Sequence, residues 1–171
     1  MTASFDHDEP TISVEMRVYD DAGNCKGPRA AGTGNASRAP TTVALAAGTL
    51  ATVARGHGTQ FGLPIPTLAG PAEAAAFVQA RFAEGSDYLK IVLEDGTAFG
   101  QTTPSLKADT VAALVAAAHA AGKLAVAHVS TEADGRVALQ AGVDGLVHVF
   151  MDRPASAELL ALAKSRGRSE E

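Results

Sequence analysis

The sequence predicts an α/β protein built from parallel βα repeats. Three short apolar runs at residues 88–92, 124–129 and 146–150 have the length and composition of strands in a sheet that is covered on both faces. Helix-like stretches separate these runs, and connections of that length favour parallel strands joined by right-handed crossovers. About four βα units are visible, whereas a closed (β/α)8 barrel needs eight. The pattern alone therefore leaves two alternatives, a partial barrel and an open doubly wound sheet.

Residues 1–40 differ in character from the rest of the chain. Their later half is rich in Gly, Ala, Arg and Ser and has no hydrophobic period. We expect residues 1–40 to form an irregular, poorly ordered segment and residues 41–171 to form the domain. Regular patterning begins with a strand predicted over 42–53. The loop at 55–66 follows it, and the glycines and prolines of that loop exclude a helix or a central strand.

The remaining elements alternate between helix and strand. Pro71 predicts a helix start, and Gly85 and Gly122 predict helix ends. Ser105 or Asp109 is expected to cap the second helix. The later elements are predicted, in order, as a strand over 88–93, a helix ending near 122, a strand over 124–129, a helix over 131–140, a strand over 145–150 and a helix over 156–165.

Composition and charge narrow the classes of function. Hydrophobic residues make up 46% and charged residues 19% of the chain, as in a globular protein with a real core. The net charge of −5 comes without a basic cluster, so neither nucleic acid nor a membrane surface is expected as a partner. The lone Cys25 excludes an intrachain disulfide and a cysteine-based metal cage. No apolar leader is evident either, so a cytoplasmic location is expected.

Each of the three apolar runs carries one polar residue, namely Lys90, His128 and His148. The two histidines lie near the carboxyl ends of their strands, which is where α/β proteins of both topologies place their sites. Adjacent parallel strands are about 4.8 Å apart, so two imidazoles on them can share one metal ion. The alternative is two unrelated core histidines that are satisfied by backbone groups or water.

Lys90 favours the metal hypothesis if its amine is chemically altered. An ordinary ammonium would repel a divalent cation, so an unmodified lysine fits poorly beside two metal-binding imidazoles. A desolvated lysine has a lowered pKa and becomes nucleophilic. Such an amine can capture carbon dioxide as a carbamate, an anionic group whose two oxygens can bridge two metals, and Schiff-base chemistry is the other option. In the structural alternative, the lysine buries only its stem and its head reaches solvent at the strand end.

Four motifs resemble the amidohydrolase superfamily, particularly its imidazolonepropionase-like and Xaa-Pro dipeptidase-like branch. They are the stretches 58–68, 86–91, 118–128 and 141–148, which occur in the family's order. The resemblance covers roughly residues 45–153. It implies a distorted (β/α)8 barrel that activates water on one or two metals, usually zinc, and hydrolyses amide-like C–N bonds of a small-molecule substrate.

The resemblance also implies roles for particular residues. Lys90 matches the carboxylated lysine at the end of the family's fourth strand, and it is the one catalytic candidate. His128 and His148 match the metal-ligand histidines of the fifth and sixth strands, so the implied metal set is Lys90, His128 and His148. His57, between glycines in the first loop, is a candidate for lining a substrate pocket, and a solvated loop histidine is the alternative.

The sequence departs from the family pattern in two places. The family requires an HxH pair at its first strand and an Asp at its eighth, and no HxH occurs here. The chain matches strands 3 to 6, about half a barrel, so we expect an incomplete fragment with weak or no hydrolytic activity. The alternatives are a non-catalytic, metal-binding half barrel acting as a homodimer that covers its open sheet edges, a truncated product without function, and, more distantly, a Schiff-base aldolase.

Overall fold

The computed structural model describes residues 45–62, 64–148 and 150–166. The chain divides into two compact units, Met1–Ala46 and Ala47–Glu171. Nearly all described residues belong to the second unit. The expectation of an irregular segment over residues 1–40 lies outside the described residues and stays a prediction.

The second unit alternates helices and strands in the predicted order. Within the described residues it contains, in chain order, α1 (Ala74–Ala83), β1 (Leu89–Leu93), α2 (Ala108–Ala120), β2 (Ala125–Val129), α3 (Glu132–Ala141), β3 (Gly145–Val147) and α4 (Ala157–Ser165). Short 3-10 turns at Pro71–Glu73 and Thr97–Phe99 precede α1 and α2. The predicted α/β class is therefore confirmed.

The three strands form one open parallel sheet in the order β1-β2-β3. The register pairs Lys90 with Val126, and it places Val92, His128 and Val147 side by side across the sheet. Helices cover the sheet in the manner of βα units, and the arrangement is that of part of a (β/α)8 barrel. Since all three strands run in the same direction, their carboxyl ends lie side by side at one end of the sheet, which forms its carboxyl edge.

The strand predicted over residues 42–53 is wrong as a continuous element within its described part. Ala51 makes a single parallel bridge to Ile91, in which its N–H donates to the Lys90 carbonyl at 2.8 Å and its carbonyl accepts from the Val92 N–H at 2.9 Å. Gly48, in the left-handed region at φ 60°, interrupts the extended backbone just before it. Isolated bridge residues, Ala46 and Ala51, thus stand where a continuous first strand was predicted.

Two helix caps agree with the sequence pattern and one does not. The Thr131 hydroxyl accepts from the Asp134 N–H at the start of α3, and the Ser156 hydroxyl accepts from the Leu159 N–H at the start of α4. Ser105 or Asp109 was expected to cap α2. That expectation is wrong, because Lys107 occupies the cap position and makes no capping side-chain hydrogen bond.

The core lies between the sheet and its helices. Leu89 and Ile91 of β1 are fully buried, as are Val111 and Leu114 of α2.

A polar contact joins α2 to the segment before β3. The His119 Nε2 lies 2.7 Å from the Asp144 Oδ2, which also accepts from the Ala125 N–H at 2.8 Å.

None of the helices in the described part of the chain combines the length and the apolar character that a membrane span needs.

Candidate functional site

The candidate site lies at the carboxyl edge of the sheet. His128 is the fourth residue of β2 and pairs across the sheet with Val92 and Val147. Because side chains alternate between faces along a strand, the register puts Lys90 and His128 on the same face. The sequence placed both residues in strands, and both lie in strands.

His128 is largely buried, with 15% of its side chain exposed. The pKa of His128 is lowered to about 4, chiefly by burial and also by positive charge on His57, His148 and Lys90, against an opposing effect of Glu94. The imidazole is therefore neutral at pH 7, the form that binds metals. Its Nε2 is buried and has no hydrogen-bond partner among the described residues.

His148 lies outside a strand, contrary to the strand predicted over residues 145–150. β3 ends at Val147, and His148 adopts the left-handed conformation at φ 71°. In a continuing strand, His148 would face away from His128, because its neighbour Val147 is the residue in register with His128. The turn instead brings the two rings together, with their centroids 4.8 Å apart and their planes at 72°.

His57 packs against the other side of this pair. Its ring stacks on that of His128, with the centroids 4.8 Å apart and the planes inclined by 23°. The Thr52 hydroxyl donates to the His57 carbonyl at 2.9 Å and fixes the loop that carries it. The structure thus brings His57, His128 and His148 into one cluster. Their functional roles stay predictions.

Lys90 is half-buried at the same edge. Burial lowers its pKa below the ordinary lysine value. Its charge in turn lowers the pKa values of both His128 and His148. A lysine amine that is easier to deprotonate in such a place is more available for covalent chemistry.

Glu94 also lies beside these residues, although it is not among the candidates that the sequence analysis names. Only 2% of its surface is exposed. Its Oε1 accepts from the Gly96 N–H at 2.6 Å, and its Oε2 lies 3.8 Å from the His128 Nε2. The signal for its burial was its position, two residues beyond Val92 on the face that Lys90 and Val92 share.

A cavity of about 170 Å³ opens beside this cluster. Its lining combines charged, polar and aromatic side chains, and the members that bear on recognition are Arg55, His57, Gln60, Glu94, Phe99 and Gln101. His57 lines this cavity, and its role in binding a substrate stays a prediction. The volume is below the range of roughly 300–1,000 Å³ typical of small-molecule pockets.

The residues present fit a divalent metal in their chemistry. No three His, Cys, Asp or Glu side chains among residues 45–62, 64–148 and 150–166 are arranged together as ligands of one ion. The buried, unpartnered Nε2 of neutral His128 nevertheless offers a lone pair beside the unpartnered Glu94 Oε2. Lys90 enters a ligand set only when it is carboxylated.

Comparison with known proteins finds similarity at the level of structure. No protein-family model matches the sequence, and comparison with curated proteins finds no match either. A Xaa-Pro dipeptidase with methionine bound in its active site superposes with a TM-score of 0.60 and 26% identity. An amidohydrolase and the ochratoxinase of A. niger superpose with TM-scores of 0.57 and 0.60, each at 21% identity, which establishes a shared fold alone.

These similarities extend over most of this chain and a minor part of the others. The three structures cover 72%, 70% and 71% of the chain, in the order given, and each is covered over 33% of its own length. The chain therefore spans about a third of the proteins to which it is structurally similar. It resembles one part of an amidohydrolase-like protein, as its sequence motifs predicted.

Proposed function

We propose that this chain provides the central metal-binding segment of an amidohydrolase, a hydrolase that acts on amide-like C–N bonds of small molecules. One observation carries the proposal. The rings of His128 and His148 lie with their centroids 4.8 Å apart at the carboxyl edge of a parallel sheet, and the half-buried Lys90 lies on the same face as His128. This edge is where α/β enzymes assemble their active sites.

Each proposed ligand has a chemical reason. His128 is neutral because burial lowers its pKa to about 4, and burial also lowers the pKa of His148. Burial lowers the pKa of Lys90 as well, which raises the fraction of free amine. That amine attacks carbon dioxide, so that an N–C bond forms, one C–O π bond breaks and one proton leaves. The resulting carbamate replaces a repelling cation with an anionic oxygen donor.

Nitrogen and oxygen donors of this kind favour zinc among the available divalent ions. The bound ion supplies Lewis-acid polarisation of a substrate carbonyl. His57 stacks on His128 and lines the adjacent cavity, which supports a role for it in contacting the substrate. The cavity's small volume suits the reacting part of a substrate rather than a large polymer.

The 171 residues on their own are expected to hydrolyse weakly or not at all. The family's HxH pair is absent from the sequence, and Lys90, His128 and His148 supply only part of the ligand set. The test is hydrolysis of N-acyl amino acids and Xaa-Pro dipeptides by the purified, zinc-loaded chain. We expect a rate close to that of zinc in buffer. Rapid hydrolysis that is lost in His128→Ala would overturn this expectation and support the chemistry.

The carbamate has a direct spectroscopic test. In carbon-13-enriched bicarbonate, the wild-type chain should give a lysine carbamate NMR signal that strengthens when zinc is added. Lys90→Met should lose the signal, while Lys164→Met, a change in α4, should keep it. A signal that is absent from wild type, or unchanged in Lys90→Met, would contradict the role proposed for Lys90.

The open sheet supports a second candidate, a non-catalytic metal-binding homodimer. Within the described part of the chain, no strand pairs with the outer edge of β3. Exposed strand edges favour association, and a second copy could cover this one. Light scattering coupled to size exclusion discriminates, because a dimer has twice the chain mass of 17.3 kDa. A strict monomer at high concentration would rule this candidate out.

A further inference from the structure

The side chain of Glu94 is held in a fixed orientation inside the protein. Its Oε1 accepts from the Gly96 N–H at 2.6 Å, and its backbone N–H donates to the Ser105 hydroxyl at 3.2 Å. Gly96 turns at φ 83°, and an added Cβ there would lie 3.1 Å from the Gln101 Cβ. The turn is therefore tight, and it leaves one carboxylate oxygen of Glu94 to point away from the loop.

That oxygen points at His128. Its Oε2 lies 3.8 Å from the His128 Nε2, and both atoms are buried without a hydrogen-bond partner among the described residues. A buried carboxylate oxygen and a buried imidazole nitrogen without partners are each unfavourable. A cation placed between two such atoms would satisfy both of them.

The separation of the two atoms distinguishes a cation from a direct hydrogen bond. N–H···O hydrogen bonds span about 2.7–3.2 Å, so 3.8 Å is too long for one. Zinc lies about 2.0–2.2 Å from histidine nitrogen and carboxylate oxygen, so two ligands of a tetrahedral ion lie roughly 3.4 Å apart, and about 4.2 Å is the upper limit for a single ion. The observed separation of 3.8 Å lies between these two distances.

We propose that Glu94 is a further ligand of the divalent ion, which it binds together with His128. This inference rests on the proposed function, and it adds a carboxylate outside the set of Lys90, His128 and His148. The ion belongs to the borderline divalent class that mixed nitrogen and oxygen donors prefer, with zinc as the best match. Glu94 then supplies an anionic donor from within this chain, where the family pattern of ligands is incomplete.

The test compares zinc binding by the full chain and by charge-neutralised variants. Glu94→Gln keeps the size of the side chain and removes its charge, and Glu158→Gln makes the same change on the exposed side of α4. Competition with a chromogenic chelator should give a zinc affinity at least tenfold lower for Glu94→Gln and unchanged for Glu158→Gln. Equal affinities in wild type and Glu94→Gln would overturn the inference.

Infrared spectroscopy separates a ligand from a residue that only positions His128. When zinc binds, a directly coordinated carboxylate shifts its antisymmetric stretching band, so the wild-type difference spectrum should contain a band that Glu94→Gln lacks. Weaker zinc binding with an identical difference spectrum would make Glu94 a positioning residue and would overturn the inference. If Glu94→Gln fails to fold, Glu94→Asp replaces it, because this variant keeps the charge and moves the carboxylate oxygen away from the ion. An unchanged zinc affinity of Glu94→Asp would likewise overturn the inference.

The two proposals fail in different ways. If wild type binds zinc and His128→Ala abolishes binding while Glu94→Gln has no effect, the proposed function stands and the role of Glu94 is wrong. If wild type binds no zinc in bicarbonate buffer, both proposals are overturned.

Discussion

His57 and His128 stack with their ring centroids 4.8 Å apart and their planes inclined by 23°. Burial penalises the charge on His128, and repulsion between two imidazolium ions at this distance adds to the penalty. With these effects and the charges of His148 and Lys90, the pKa of His128 falls to about 4. Burial, reinforced by the stack, therefore keeps the central histidine neutral, with a lone pair available, throughout the neutral pH range.

The depressed pKa of His128 predicts a specific loss of stability in acid. In the unfolded chain the group titrates near 6.5, and in the folded protein near 4, so the unfolded state binds more protons between these values. The stabilisation is complete above pH ~6.5 and declines as the pH falls toward ~4, by roughly 3 kcal/mol in total.

Urea denaturation of the metal-free protein at several pH values measures this effect. His128→Asn, which does not titrate, should lose less stability than wild type over the same range. If both proteins lose equal stability, His128 has an ordinary pKa and the account of its environment is wrong.

The left-handed backbone at His148 predicts that stability and metal binding separate. Asn tolerates positive φ better than most residues, so His148→Asn should leave the free energy of unfolding unchanged or raise it by up to about 1 kcal/mol. Zinc affinity should fall at least ~10-fold in the same variant, because a donor nitrogen is lost. Thermal denaturation and chelator competition measure the two quantities, and strong destabilisation without a change in affinity would assign His148 a structural role.

Replacing Lys90 with methionine tests the burial of the Lys90 amine through the stability of the protein. Burial lowers the pKa of Lys90, so its ammonium is disfavoured in the folded protein and a methionine of similar length avoids that penalty. The unfolding free energy should be unchanged or higher at pH 7. Because the pKa of Lys90 is lower in the folded than in the unfolded state, the unfolded state binds more protons between the two values, and stability rises with pH there. The stability of wild type should therefore approach that of Lys90→Met as the pH rises. Wild type losing stability relative to the variant over that range would contradict a buried amine.

The contact between α2 and the segment before β3 predicts unequal effects of its two partners. Asp144→Ala removes the acceptor of both the His119 ring and the Ala125 N–H, and it leaves a backbone donor unpaired. It should cost about 1–3 kcal/mol of unfolding free energy. His119→Ala should cost less than about 1 kcal/mol, because the His119 side chain is 42% exposed. Equal costs in chemical denaturation would show that the backbone contact contributes nothing.

The parallel βα order could be predicted from sequence because burial on both faces produces short apolar runs. The strands β1, β2 and β3 are buried, and burial requires apolar residues at most of their positions. The strand over residues 42–53 could not be predicted correctly, since a single left-handed glycine, Gly48, interrupts it. Local apolar character does not report such an interruption.

The site was predictable in its residues and not in its geometry. His128 and Lys90 stood out because polar residues in buried strands are costly. The position of His148 depends on one backbone angle after β3 that no periodicity encodes. The burial of Glu94 depends on the tight turn at Gly96, which folds the loop back over the strand end.

Calorimetric titration of zinc into the purified chain in bicarbonate buffer tests the central claim most directly. The account predicts saturable binding that His128→Ala weakens at least ~100-fold, while His119→Ala, a histidine paired with Asp144 away from the cluster, leaves it unchanged. Wild type without saturable binding, or binding that survives intact in His128→Ala, would contradict a metal centre built on His128.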